Sequence, residues 1–156
     1  MKKILFVIFV FFVTACSSVQ LGQIFKEVDS ASDSNALVYI YRMKETLRRS
    51  PTIFIDDIKT VDLVHNSYHK FYIPSGEHII KAKWAFDVGI RPIEKVYNLE
   101  KGKKYYIQVS GAVIMEGAFF SGASFVPLFN SKGSVTEMQE HHALNDLKQC
   151  QIVVSK

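Results

Sequence analysis

The chain has 156 residues, 48% of them hydrophobic, with 19 basic and 15 acidic side chains and a formal charge of +4. That length and apolar content suit one folded domain and exclude a disordered or low-complexity chain. The charge excess is small and its lysines (Lys81, Lys83, Lys95, Lys101, Lys103, Lys104) stand among acids, so no nucleic-acid footprint is present and no nucleic-acid partner is expected.

In chain order, Lys2 and Lys3 precede ten uninterrupted apolar residues, Ile4 to Val13, followed by Thr14, Ala15, Cys16, Ser17 and Ser18. A helix of that size is roughly 15–18 Å long, too short for a hydrocarbon core of about 30 Å, and matches the apolar region of a signal peptide. The order positive, apolar, small, cysteine resembles the signal and lipobox of bacterial lipoproteins, with Val13 and Thr14 where Leu and Ala or Ser are commoner. The resemblance implies cleavage after residue 15, lipidation of Cys16 on its thiol and new amino terminus, and permanent attachment, since more than one acyl chain is needed for stable anchoring. Ser17, where inner-membrane retention uses Asp, implies sorting to the outer membrane, facing the periplasm. Plain secretory cleavage at the same junction and an uncleaved anchor are the rival readings. Losing residues 1–15 removes two lysines, leaving 17 basic against 15 acidic residues, a charge of +2.

Residues 16–35 read as the lipidated cysteine and a flexible tether, rich in small polar residues from Asp29 to Asn35; Leu21, Ile24 and Phe25 form a patch that can dock on the domain instead. Residues 36–156 read as the folded domain. Short alternating runs broken by turn residues predict strands over 36–42, 52–56, 59–63, 68–73, 77–84, 93–99 and 104–113, with a tight turn at Asp56-Asp57. About seven strands at this spacing predict an antiparallel β-sandwich. Ser134 and Glu137 read as a capping box opening one C-terminal α-helix that runs to about Leu147, with Met138, Leu144 and Leu147 on its apolar stripe. Gln151 to Val154 reads as a strand or an extended tail. With Cys16 lipidated, Cys150 has no partner within the chain; its apolar neighbours point to a buried structural thiol, with pairing between chains as the alternative.

Between strand 104–113 and the helix the period is lost. Ala118 to Phe129 is strongly apolar and punctuated by glycine, and three readings stand: core, protein contact or membrane contact. Phe119, Phe120, Phe125 and Leu128 are the candidate contact residues.

The run Ala36 to Arg42, the strand and turn Ile53–Asp57, Tyr72-Ile73-Pro74-Ser75-Gly76-Glu77-His78, and Tyr97 to Tyr106 with its Gly102-Lys103-Lys104-Tyr105-Tyr106 hairpin together resemble the DUF2846 lipoproteins, whose cores are similar in style to PEGA-type sandwich modules. The likeness covers about residues 36–113 and implies a sandwich; it supplies no activity and no catalytic residues.

Chemistry-bearing patterns are sparse. His141 and His142 are neighbours on the helix, so they point about 100° apart, and His65 and His69 lack a carboxylate or cysteine at ligand spacing; no metal is expected. Gly122-Ala123-Ser124-Phe125-Val126 has Val126 where a hydrolase elbow needs its second glycine. The seven tyrosines are read as sheet formers with wet hydroxyls rather than sugar platforms. The function expected is a lipid-anchored envelope module without catalysis or cofactor, contacting an envelope protein or polymer. The alternative is a small-molecule or glycan binder with a pocket lined by tyrosine or Trp84.

Overall fold

The computed structural model describes residues 19–31 and 33–154; residues 1–15 and Cys16 lie outside them. Among these residues ten strands form two facing sheets: β1 (Gln20–Ile24), β2 (Asn35–Arg42), β3 (Thr52–Ile55), β4 (Ile58–Asp62), β5 (Ser67–Pro74), β6 (Gly76–Lys83), β7 (Ile93–Leu99), β8 (Lys104–Ser121), β9 (Ser124–Glu137) and β10 (Gln151–Val154), with helix α1 (Glu140–Leu147) between the last two. The larger sheet has the order β1-β10-β5-β2-β8-β9 and the smaller β4-β3-β6-β7. The molecule is mainly β with one C-terminal helix, as expected. Most pairs are antiparallel, but β2 runs parallel to β8 and β10 parallel to β5.

Between the sheets lies a core of Val38, Ile40, Ile53, Leu63, Ile80, Trp84, Leu99, Ile107 and Val109. The alternate residues of β2, Leu37, Tyr39 and Tyr41, face the other way, where α1 and residues 25–31 cover them together with Phe25, Tyr68, Tyr106, Ala143, Leu147 and Cys150. β2 is therefore buried on both faces, which explains its near-continuous apolar and aromatic run. Three tyrosine hydroxyls of this sheet reach up to carboxylates in the covering layer: Tyr39 donates to Asp29 (3.0 Å), Tyr41 to Asp146 (3.1 Å) and Tyr106 to Glu140 (2.8 Å). Burial, reinforced by those carboxylates, raises the pKa of all three phenols. The rings of Tyr39 and Tyr106 stack 5.5 Å apart, so these tyrosines are packing elements.

The turns follow their residue types. Asp56 and Asp57 are the two central residues of the β3–β4 hairpin and both have positive φ (50° and 65°), as a primed two-residue turn requires. Pro74, Ser75 and Gly76 carry the chain from one sheet to the other, and His78 ties the corner, one ring nitrogen bonding the Pro74 carbonyl (3.0 Å) and the other the Asp56 carboxylate (2.6 Å). That bond holds the Asp56 carboxyl below its ordinary pKa.

Two expectations are corrected. The stretch read as tether is zipped to the body: β1 pairs with β10, Phe25 is buried, and Asp29 accepts from Lys70 (2.7 Å) as well as Tyr39. Of the patch Leu21, Ile24 and Phe25, only Phe25 docks by its side chain; Leu21 and Ile24 stay exposed in β1. Ser134 and Glu137 do not cap the helix: both lie in β9, where Glu137 pairs with Ile107 and the Ser134 hydroxyl bonds that of Ser110 (2.8 Å). Helix α1 opens three residues later, at Glu140, without a side-chain cap. Fourteen paired positions along β8 outweigh a cap worth about 1 kcal/mol.

Candidate functional site

The feature that leaves this body is the far half of the β8–β9 hairpin. β2 supports β8 only as far as Gln108. Beyond that, side chains from the loop after β2 take over the exposed ladder edge: the Glu45 carboxylate accepts from the Gly111 amide (2.7 Å) and the Thr46 hydroxyl from the Val113 amide (3.1 Å). Glu45 is itself held by Arg42, whose fully buried guanidinium also donates to the carbonyls of Leu47 and Leu63. Burial lowers the Arg42 pKa and the bond to Glu45 opposes that shift.

At the root, Gly111 and Gly133 face each other across the two strands and Trp84 lies beneath them. A Cβ at Gly111 would stand 2.6 Å from Leu47 Cδ2 and one at Gly133 2.9 Å from Trp84 Cη2, so the sheet passes over the indole only because both side chains are missing. Among the described residues, both edges of the two-stranded ribbon are open past Val113, because β9 is already the last strand of the sheet. The arm ends in a two-residue turn at Gly122-Ala123, with glycine first and φ 62°, between the paired Ser121 and Ser124.

Cross-strand partners share a face and successive residues alternate. One face, continuous with the core face of the sheet, carries Val113, Met115, Phe129, Pro127, Phe120 and Phe125. The other carries Phe119, Val126 and Leu128 toward the tip, and Ile114, Asn130 and Lys132 toward the root. A bulge at Glu116 separates the two zones; its carboxylate accepts from Asn130 (2.9 Å) and pairs with Lys132 (3.5 Å). From Gly117 to Ser131 no side chain is charged.

All four contact candidates are exposed on this arm, none in the core, Phe120 most of all at 76%. They do not form one patch. Phe120 and Phe125 meet edge-to-face at 5.8 Å, whereas Phe119 and Leu128 lie on the opposite face. Val113, Met115 and Phe129 (64% exposed) complete the first face and were not singled out. The signal for them was the i, i+2 spacing of Val113-Met115 and of Phe125-Pro127-Phe129, masked by the bulge.

The remaining candidates are scattered. His65 bonds the Leu47 carbonyl (2.8 Å), His69 the Val153 carbonyl (2.9 Å), and the His141 ring lies tilted against that of His142. Among the described residues no group of three or more His, Cys, Asp or Glu is placed to hold a metal ion. Cys150 is fully buried and burial, with Asp146 nearby, pushes its thiol up to about 12, so pairing between folded chains is closed to it. Two open clefts are lined respectively by Ser50, Thr52, Phe54, Lys59, Lys83, Trp84 and Ala85 (about 340 Å³) and by the corner residues Ser75, Gly76, Asn98, Leu99, Glu100 and Lys101 (about 580 Å³). Trp84 is only 2% exposed and offers no ring face for a sugar, and no tyrosine lines either cleft.

No family model matches this chain, and neither a curated protein nor a solved structure matches it.

Proposed function

We propose that this chain is a lipid-anchored envelope module without catalytic activity, whose body is a stand for the β8–β9 arm and whose arm contacts another protein. The observation that carries the reading is the arm itself: a two-stranded ribbon, apolar on both sides near its tip, fixed at its root by Arg42, Glu45, Thr46 and Trp84. Exposed apolar surface of this extent marks an interaction site. Lipid is the poorer occupant, because a ribbon with two open edges leaves backbone groups unpaired in hydrocarbon at several kcal/mol each. A protein satisfies both the side chains and the edges.

Anchoring at Cys16 agrees with the way the chain enters the fold. β1 begins four residues after Cys16, so at most about 14 Å of chain separates the lipid from the sheet. β1 and β9 are the two opposite edges of the larger sheet, and β1 runs in the same sense as β8. Residue 19 and the arm tip therefore stand at different edges and at different ends of the strands. With the body seated at an outer-membrane surface, the arm is held clear of the anchor.

Two measurements on the full-length chain in cells test this. Metabolic labelling with an alkyne fatty acid is expected to mark the protein, and Cys16→Ser to abolish both the label and membrane pelleting. A photo-crosslinking residue at Phe119 or Phe120 is expected to give discrete protein adducts. Adducts to lipid alone, or none, would remove the arm from the function.

A further inference from the structure

We propose that the uncharged, largely apolar face of the arm, with Val113, Met115, Phe120, Phe125, Pro127 and Phe129, packs on the same face of a second copy of this chain. The inference rests on the arm being the contact element; it does not depend on the lipid.

Three properties of that face point to a second copy. First, it has no charge, and Glu116 and Lys132 belong to the zone nearer the root and the other face, so two copies can meet without like charges opposing each other. A flat ribbon of Phe, Met and Val is complementary to itself at the roughly 10 Å spacing of packed sheets. Second, the area is sufficient. From their exposures, the five large side chains present on the order of 600 Å² per copy, so a face-to-face pair that covers them completely buries at most roughly 1,200 Å², which reaches the lower limit of stable specific interfaces. Anchoring both copies to one surface would raise their effective concentration further. Third, the contact supplies what the arm lacks. A two-stranded hairpin is marginal by itself in water, and a second ribbon stacked on it provides the missing layer.

The edges are less suited to self-pairing than the faces. Pro127 has no amide to donate and the bulge at Glu116 breaks the regular ladder, both devices that blunt edge-to-edge association. Pairing through faces leaves Phe119, Val126 and Leu128 outward on each arm, so the paired unit displays two equivalent outer patches related by a two-fold axis.

The test uses two full-length copies with different tags, co-expressed in cells, with the photo-crosslinking residue at Phe120 or, on the opposite face, at Phe119. The expected result is an adduct of twice the chain mass carrying both tags from Phe120, with the linked peptide lying within residues 113–131, and little of it from Phe119. Phe125→Glu, with the crosslinker kept at Phe120, should reduce that adduct roughly tenfold, as loss of a central aromatic contact does. Resistance of Cys150 to alkylation verifies that this variant is folded. Adducts from Phe120 to a different protein only would overturn self-pairing and leave the proposed function standing. Adducts to lipid only, or none, would overturn both.

Discussion

β2 and the outer half of β8 belong to the same sheet and have the same kind of sequence, yet one is covered on both faces and the other on neither. Seven consecutive residues of β2, Ala36 to Arg42, are buried between the smaller sheet and the layer made by α1 and residues 25–31. Val113, Met115, Phe119 and Phe120 are no less apolar, but neither the smaller sheet nor α1 extends far enough to reach them. Apolar alternation thus identifies a strand; which layers overhang it decides whether it becomes core or contact surface.

The sharpest way to break that comparison is to truncate one side chain from each region. Ile40→Ala removes a fully buried side chain between the sheets and is expected to cost about 2–5 kcal/mol in urea unfolding, whereas Phe125→Ser on the arm, measured at a dilution where copies do not pair, should stay within about 0.5 kcal/mol. Comparable losses would mean that the arm is part of the core. The root of the arm is next. Glu45→Ala strips the buried Arg42 of its counter-charge and Gly111 of its acceptor, and should destabilise by about 3 kcal/mol by the same measurement. Gly133→Val forces a side chain toward Trp84 and is expected to cost about 1–3 kcal/mol and to shift tryptophan fluorescence. A neutral result would show that the arm does not sit on the indole.

The smallest effect concerns the covering layer. The Lys70 ammonium, helped by the Tyr39 hydroxyl, holds the Asp29 carboxyl below its ordinary pKa, with burial opposing. A depressed folded-state pKa stabilises above the ordinary carboxylate range, and that contribution is lost as pH falls through the depressed value. Protection of the Phe25 and Asp29 amides, measured as exchange relative to their intrinsic rates, should therefore fall on acidification below about pH 4, and Asp29→Asn should flatten the dependence. Equal acid sensitivity in the variant would place the cause elsewhere.

Much of the body was legible because its signals are local. The alternation of residues 36–42, the Asp56-Asp57 turn, the Pro74–Gly76 corner with His78, and the buried Cys150 all follow from neighbours in sequence. What was not legible is non-local. Gln20 to Ile24 has no strand pattern of its own and is a strand because β10, some 130 residues later, presents an edge to it. β9 was hidden behind a plausible capping box, since Ser134 and Glu137 suit either a helix start or a half-exposed strand. Whether the arm was core or exposed stayed open because core strand and bare ribbon use the same residues; the faces separated only once Phe120 was seen paired with Phe125 and Gly117 with Leu128.

The zipper between β1 and β10 has a mechanical side. Tension arriving through residue 19 pulls along the axis of β1, so the hydrogen bonds to β10 are loaded together in shear rather than peeled one at a time. Behind β10 stands β5, joined to it in parallel, so the load passes into the middle of the sheet. The strand formed from the supposed tether is in this sense a strain relief: a pull on residue 19 is absorbed at one edge of the sheet, while the arm at the other edge keeps its aim.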